Sequence, residues 1–220
     1  MPIRTVLFDL DGTLLDTAPD LADALNAVLL EQGQEPLPYE QIRGVVSHGG
    51  MALIRLGFGI TPTDPDFEPL RLRLLDIYHA NIANKTRPFP GMAELLDALE
   101  ERGLNWGVVT NKPAWLTDPL MQQLSLYERA ACVVSGDTLA ERKPHPAPML
   151  HACEQAGSLP AECVYIGDAE RDIEAGRNAR MHTLVALFGY FMADDRPLEW
   201  QADGSISQPL ELLDWLDTIA

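Results

Sequence analysis

The chain has 220 residues, of which 46% are hydrophobic and 22% are charged, a composition that excludes wholesale disorder and a fibrous repeat. Its 16 basic and 33 acidic residues give a formal net charge of −17, so its field repels nucleic acids and anionic membrane surfaces. We therefore expect neither as a partner, and an anionic substrate must be attracted by a local positive site.

Five short apolar segments predict strands that are buried on both faces, as in a parallel sheet. In chain order they are residues 5–8, 106–110, 132–134, 163–166 and 183–185. Helical patterns lie between them, for example the apolar stripe over 92–99 that ends before Gly103. This alternation predicts an α/β fold, a doubly wound, Rossmann-like domain built on a parallel sheet.

Residues 17–87 interrupt that alternation with helical patterns and no convincing strand. Thr17 and Asp20 predict a capping box that opens the first helix, and residues 67–78 form a second amphipathic pattern. We interpret 17–87 as a helical insertion, and residues 1–16 with 88–220 as the core domain. The insertion has six basic and nine acidic residues, and this near balance suits a lid over an anionic ligand.

Cysteine usage and the apolar stretches bear on the compartment. Cysteines 132, 153 and 163 show no CxxC spacing and cannot all pair, which favours a reduced, cytoplasmic setting. Acidic residues follow the first few positions too soon for a signal peptide. The longest nearly apolar stretch, around 184–193, is too short to span a bilayer. We expect a cytoplasmic protein with no membrane partner.

Two groups of aspartates follow predicted strands. Asp9 and Asp11 end the first strand and point the same way, and Asp168 and Asp172 follow the strand at 163–166. The carboxyl ends of parallel strands line one crevice, so the two groups can converge there. A single aspartate after a strand often only caps a turn. Four at two strand ends favour a site for a hard divalent cation such as Mg²⁺, which would relieve their repulsion.

Thr110, Asn111 and Lys143 supply the groups of an anion-binding site. The segment at 110–113, Thr-Asn-Lys-Pro, follows a predicted strand and opens a helix, where backbone N–H groups can bind an anion. Lys143 lies in the stiff turn at 143–146 and can neutralise a phosphoryl oxygen or an aspartate. Each feature alone is common in turns and on surfaces, and it is their order along the chain that indicates an anion-binding site.

The chain resembles the haloacid dehalogenase superfamily in four motifs over almost its whole length. In chain order the motifs are Asp9-x-Asp11-Gly12-Thr13, Thr110-Asn111, Lys143-Pro144 and Gly167-Asp168-x-x-x-Asp172. The insertion at 17–87 resembles the helical type-1 cap of that superfamily. Within it the chain is similar to bacterial phosphoglycolate phosphatases and, through residues 108–113, 121–124 and 188–190 with Trp200, more closely to N-acetylmuramic acid 6-phosphate phosphatases.

The resemblance implies a phosphatase that acts on a small phosphorylated metabolite with Mg²⁺ as cofactor. N-acetylmuramic acid 6-phosphate, from peptidoglycan recycling, is the expected substrate, with 2-phosphoglycolate as the alternative. Asp9 is implied as the nucleophile and Asp11 as the general acid and base. Mg²⁺ is implied to be held by Asp9, the backbone carbonyl of Asp11, and Asp168.

The remaining motifs imply supporting roles. Thr110 and the amide of Asn111 would bind the phosphoryl oxygens, and Lys143 would offset their charge. Asp172 would orient a water or Lys143. Arg43, in the insertion, matches the position where related caps present an arginine to the substrate, and it can pair bidentately with the carboxylate of either candidate. The alternative interpretation is that Arg43 lies on a solvent-exposed face of a helix.

Other functions stay open at this point. A dehalogenase needs neither an acid for its leaving group nor a metal, so Asp11 and the final acidic motif argue against it. A phosphosugar mutase keeps the same core. From another class, a catalytically silent binding protein is the alternative. The oligomeric state is left as monomer or homodimer.

Overall fold

The structure, a computed structural model, describes residues 2–219 and contains a central parallel sheet flanked by helices. The strands in chain order are β1 (Thr5–Phe8), β2 (Leu15–Asp16), β3 (Arg87–Pro88), β4 (Asn105–Val109), β5 (Val133–Val134), β6 (Cys163–Gly167), β7 (His182–Ala186) and β8 (Gly204–Ile206). Six of them form the central sheet in the order β5-β4-β1-β6-β7-β8, and every neighbouring pair is parallel. The predicted α/β fold is therefore confirmed.

Nine α-helices lie within residues 2–219. In chain order they are α1 (Ala18–Glu31), α2 (Tyr39–Arg43), α3 (Gly49–Phe58), α4 (Phe67–Ala80), α5 (Met92–Glu101), α6 (Ala114–Gln123), α7 (Ala147–Gln155), α8 (Glu170–Asn178) and α9 (Glu211–Ile219). Across the described range, no helix is both long and apolar enough to cross a bilayer. The three cysteines are buried free thiols.

The direction of winding reverses beside β1. The chain runs from β1 outward through β4 to β5, then crosses back to β6 on the other side of β1. All residues of β1 and β6 are buried, as their apolar composition predicts. In an open α/β sheet such a reversal opens a crevice at the carboxyl ends of the strands, and the aspartates predicted to converge follow these two strands.

Helices α1 to α4 lie between β2 and β3. These two short strands pair antiparallel, with Leu15 opposite Pro88 and Asp16 opposite Arg87, so the chain leaves and re-enters the core at one place. The α4 helix covers the second predicted amphipathic pattern, and its buried Leu74 and Tyr78 belong to the cluster that also contains β1 residues. The division into a core and a cap at residues 17 and 87 remains our interpretation.

The predicted capping box at the start of α1 is wrong. Thr17 occupies the N-cap position without a side-chain capping bond, and its hydroxyl donates instead to Asp11 Oδ1 at 2.6 Å. The buried Asp20 carboxylate accepts the backbone N–H groups of Lys85 and Thr86 and the Thr86 hydroxyl. Asp20 thus ties α1 to the returning chain, because a buried carboxylate is satisfied best by several donors at once.

Candidate active site

Three buried aspartates converge where β1 and β6 end. Asp9 follows β1, Asp168 follows β6, and Asp172 lies in the first turn of α8. Because β1 and β6 are adjacent and in register, the residues that follow them leave the sheet side by side. One carboxylate oxygen of each aspartate lies within 4.8 Å of the others. The cluster can hold a metal ion with oxygen ligands alone.

The buried ammonium of Lys143 lies among these carboxylates. Lys143 Nζ is 2.8 Å from Asp9 Oδ1 and 2.8 Å from Asp172 Oδ1, and it donates to the Tyr165 hydroxyl at 2.7 Å. The Val109 carbonyl is a fourth oxygen, at 2.9 Å, around a group with three N–H bonds. The Asp172 Oδ1 contact is accordingly an ion pair without a well-aligned hydrogen bond.

The charges around Lys143 keep it protonated. Burial by itself lowers the pKa of Lys143, but the carboxylates of Asp172 and Asp9 outweigh burial and raise that pKa above its ordinary value. One ammonium faces three carboxylates, so the cluster retains an excess of negative charge when all three aspartates are ionised. A further cation relieves that excess.

Asp168 shows the excess most clearly. Burial, followed by the charges of Asp9 and Asp172, raises the pKa of Asp168 to about 8. Its Oδ2 accepts hydrogen bonds from the Ser47 hydroxyl at 2.7 Å and the Tyr190 N–H at 2.9 Å, whereas its buried Oδ1 has no protein donor in residues 2–219. An unpaired buried carboxylate oxygen beside two others fits a hard divalent ion such as Mg²⁺.

Two glycines allow the backbone to close around Asp168. A Cβ on Gly12 would overlap Asp168 Oδ2, and Gly12 adopts a φ of +85°, which disfavours any other residue. A Cβ on Gly189 would overlap Asp168 Cβ. The glycine after Asp11 in the first motif is therefore explained by the close approach of this loop to the carboxylate.

Asp11 lies beside the cluster, on the side of helix α4. Its Oδ1 accepts hydrogen bonds from Lys112 Nζ at 2.8 Å and from the Thr17 hydroxyl at 2.6 Å. The Lys112 ammonium also lies 4.6 Å from the centroid of the Tyr78 ring. Both named donors bind the same oxygen, which leaves Asp11 Oδ2 for exchange of a proton with a ligand.

Thr110 and Asn111 follow β4, next to β1 in the sheet. The Thr110 hydroxyl accepts the Lys112 N–H at 3.1 Å. The Asn111 side chain forms a reciprocal pair with the backbone of Lys143: Oδ1 accepts the N–H and Nδ2 donates to the carbonyl, each at 3.0 Å. The Asn111 side chain thus positions Lys143, and contact with phosphoryl oxygens stays a prediction for its backbone amide.

Arg43 lies at the end of α2 and contacts the core. Its guanidinium donates to the carbonyls of Gly189 at 3.0 Å and Phe188 at 3.3 Å, and it lies 4.8 Å from the centroid of the Tyr190 ring. Each terminal nitrogen is therefore engaged by a backbone carbonyl. Contact with substrate stays a prediction for this residue.

Sequence reasoning assigned no role to several side chains that the structure brings to the site. They are Ser47, Lys112, Tyr165 and Arg171. Lys112 directly follows the second motif and Arg171 lies inside the fourth, so their positions in the sequence were a signal that both could lie at the site. Nothing in the sequence around Ser47 or Tyr165 distinguishes them from ordinary loop and strand residues.

Comparisons with known proteins show the family of the chain. The haloacid dehalogenase-like hydrolase family matches residues 6–186. The chain is 44% identical to an N-acetylmuramic acid 6-phosphate phosphatase from Pseudomonas aeruginosa, over 99% of this chain and 96% of that protein. It is 44% identical to a phosphoglycolate phosphatase from Xylella fastidiosa, over 94% and 90% of the two chains.

A solved structure has the same architecture. The crystal structure of a predicted phosphoglycolate phosphatase from Haemophilus somnus superposes with a TM-score of 0.84 and 25% identity, over 97% of each chain. The two chains therefore share the same overall fold.

Proposed function

The chain belongs to the haloacid dehalogenase-like hydrolases, and on that basis we propose that it hydrolyses small phosphate monoesters through an aspartyl phosphate on Asp9, with Mg²⁺ as cofactor. The observation that carries the proposal is the convergence of Asp9, Asp168, Asp172 and Lys143 in one buried cluster, with Asp11 beside it. A carboxylate nucleophile, a fixed ammonium and a second carboxylate for proton transfer are the groups that such a reaction needs.

Asp9 is proposed to attack the phosphorus atom. A new P–O bond forms to a carboxylate oxygen of Asp9 while the bond from phosphorus to the ester oxygen breaks. Lys143 binds Asp9 Oδ1, which leaves the other oxygen for the attack. The same ammonium offsets charge on the phosphoryl oxygens, together with Thr110 and the Asn111 amide.

Asp11 is proposed to move the proton in both steps. It gives a proton to the departing ester oxygen, which leaves as an alcohol. In the second step, water attacks phosphorus, the bond to Asp9 breaks, and Asp11 takes the proton from that water. The fixed hydrogen bonds from Lys112 and Thr17 to Oδ1 hold this carboxylate in place for both transfers.

Mg²⁺ would be held by Asp9, the backbone carbonyl of Asp11, and Asp168, and when bound it screens the repulsion between the Asp9 carboxylate and an anionic phosphate. Asp172 completes the carboxylate cluster, but its two oxygens serve the chain itself. Oδ2 accepts the Ala169 N–H at 3.0 Å, and Oδ1 faces Lys143. We therefore assign Asp172 to the positioning of Lys143.

The substrate proposed is N-acetylmuramic acid 6-phosphate. Phosphatases of that name from Pseudomonas aeruginosa and Pseudomonas putida share 44% and 43% identity with the chain, each over 99% of its length. The alternative, 2-phosphoglycolate, is supported by a relative from Xanthomonas campestris at 45% identity over 95% of this chain. Both compounds carry a carboxylate in addition to the phosphate.

A screen of phosphorylated metabolites tests the proposal. Phosphate release is measured for N-acetylmuramic acid 6-phosphate, 2-phosphoglycolate and uncarboxylated esters, with and without EDTA. We expect hydrolysis that EDTA abolishes and added Mg²⁺ restores. Release of phosphate from none of the esters supports a silent binding protein. Isomerised product after addition of a bisphosphorylated activator supports a mutase.

A further inference from the structure

A second arginine faces the site from the core. Arg171 stands between Asp168 and Asp172 in sequence, in the first turn of α8, and is half-buried. Its guanidinium donates to the Ser47 carbonyl. Throughout residues 2–219, no carboxylate oxygen lies within 4.0 Å of a guanidinium nitrogen of this residue.

This situation is unusual for a half-buried arginine. A guanidinium has five N–H donors in a planar fork that matches a carboxylate, and partly desolvated arginines are usually paired with one. The neighbouring carboxylates of Asp9, Asp168 and Asp172 make the region favourable for a cation, but none of their oxygens forms an ion pair with Arg171. The fork of Arg171 is thus left for a ligand.

A cavity of about 240 Å³ lies beside Arg171, between the helical insertion and the core. The lining side chains that matter here are Ser47, His48, Asp168, Arg171, Tyr190 and Trp200. Asp168 belongs to the proposed metal cluster, so the cavity begins where the phosphate is expected to bind. A substrate with its phosphate at Asp9 and Lys143 can extend past Asp168 into this space.

The lining of the cavity combines two kinds of chemistry. Trp200 gives an aromatic surface, on which the apolar face of a sugar ring or an alkyl chain can pack. Arg171 gives a charged fork. Two further carboxylates line the cavity: the exposed Glu170, and Asp195, which accepts the Met192 N–H at 2.7 Å. Of the residues that line this space, Arg171 alone carries a permanent positive charge, so it is the group suited to bind an anion.

We infer that Arg171 is a specificity-determining residue that binds the carboxylate of the substrate. The inference rests on the proposed phosphatase function and moves the carboxylate contact from Arg43 to Arg171. Arg43 already donates to two backbone carbonyls, whereas Arg171 faces the cavity next to the cluster. Arg171 separates phosphate esters that carry a carboxylate from esters of the same size that lack one.

Two matched esters test the inference. The value of kcat/KM is measured for 2-phosphoglycolate and for 2-hydroxyethyl phosphate, which replaces the carboxylate by an alcohol. In Arg171→Gln we expect kcat/KM to fall about 100-fold for the acid and much less for the alcohol. Arg171→Lys keeps the charge but loses the fork, so its selectivity should be intermediate. Arg177→Gln, an exposed position on the same helix, is the control.

The possible results are distinct. An equal loss with both esters would show that Arg171 only fixes Ser47 or balances charge, and would overturn the inference. Unchanged selectivity in Arg171→Gln with lost selectivity in Arg43→Gln would overturn it in favour of Arg43. If the wild-type protein hydrolysed neither ester nor any other phosphomonoester, the proposed phosphatase function itself would fail. A loss confined to the acid supports the assignment.

Discussion

Lys143 Nζ lies 2.8 Å from Asp9 Oδ1, and both side chains are almost completely buried. Lys143 follows β5 by nine positions and Asp9 follows β1, so the pair joins two distant parts of the chain across the centre of the site. Asp172 pairs with the same ammonium. Asp9, the proposed nucleophile, therefore belongs to a buried network of ion pairs, in which removal of one charge leaves another without its partner.

Removal of Lys143 should destabilise the fold. Lys143→Ala leaves Asp9 and Asp172 as buried carboxylates without their partner, and we expect the free energy of unfolding to fall by about 3–5 kcal/mol. Unfolding in urea measures this change in the free energy of unfolding. The control is Lys85→Ala, which breaks an exposed pair with Asp23 and should leave stability almost unchanged. Equal stability of the two variants would contradict a structural role for the ammonium.

Replacement of Asp11 should separate the two chemical steps. With p-nitrophenyl phosphate, the departing oxygen is a good leaving group and needs no proton, but the water of the second step still needs a base. In Asp11→Asn we therefore expect a burst of p-nitrophenol of about one equivalent, followed by turnover reduced about 100-fold or more. Stopped-flow absorbance measures both phases. Undiminished steady-state turnover would contradict the role of Asp11.

The sheet and the motif residues could be predicted from the sequence because they depend on local patterns. All five predicted strands overlap observed ones, since apolar β-branched runs in a buried sheet leave little choice of structure. The short strands β2, β3 and β8 were not predicted, because their two or three residues carry no such pattern. The capping box failed because Thr17 and Asp20 have distant partners, Asp11 and Thr86.

The connections within the site depended on tertiary structure. The spacing of Asp168 and Asp172 indicated that both face the end of β1, but not that one is tied to Lys143 and the other to Ser47. The pairing of Asn111 with the Lys143 backbone joins two motifs 32 residues apart. Pairings at such separations follow from how the strands are ordered, which no local pattern contains.

Mg²⁺ binding should release a proton at neutral pH. In the metal-free protein the pKa of Asp168 is raised to about 8, so at pH 7 its carboxyl group is mostly protonated. A cation needs the ionised form, and binding should release close to one proton at pH 7 and almost none at pH 9 or above. Affinity should rise with pH and level off above about 8.

Titration calorimetry in buffers of different ionisation enthalpy counts these protons. Asp168→Asn should abolish the release along with tight binding, whereas Asp137→Asn, an aspartate outside the cluster that caps the Ala114 N–H, should preserve both. A proton count near zero in the wild-type protein at pH 7 would be inconsistent with a protonated Asp168.

Gly12→Ala should disturb the metal cluster. The added methyl group overlaps Asp168 Oδ2 and forces an unfavourable positive φ, so we expect weaker Mg²⁺ binding and loss of stability of about 1–3 kcal/mol. Gly33→Ala is the matched control, because Gly33 also has a positive φ but meets no atom within 4 Å. Calorimetry should show weakened metal binding only in the first variant, and similar metal affinity in both would argue against the close approach.

Covalent phosphorylation of Asp9 is the central claim. The direct measurement is rapid acid quench during turnover of p-nitrophenyl phosphate by the Asp11→Asn variant, followed by peptide mass spectrometry. We predict a phosphoryl group on Asp9. When Asp9→Asn is introduced as well, we predict that neither the phosphoryl group nor turnover is detected. A phosphoryl group on another residue, or hydrolysis that persists in Asp9→Asn with an intact fold, would contradict it.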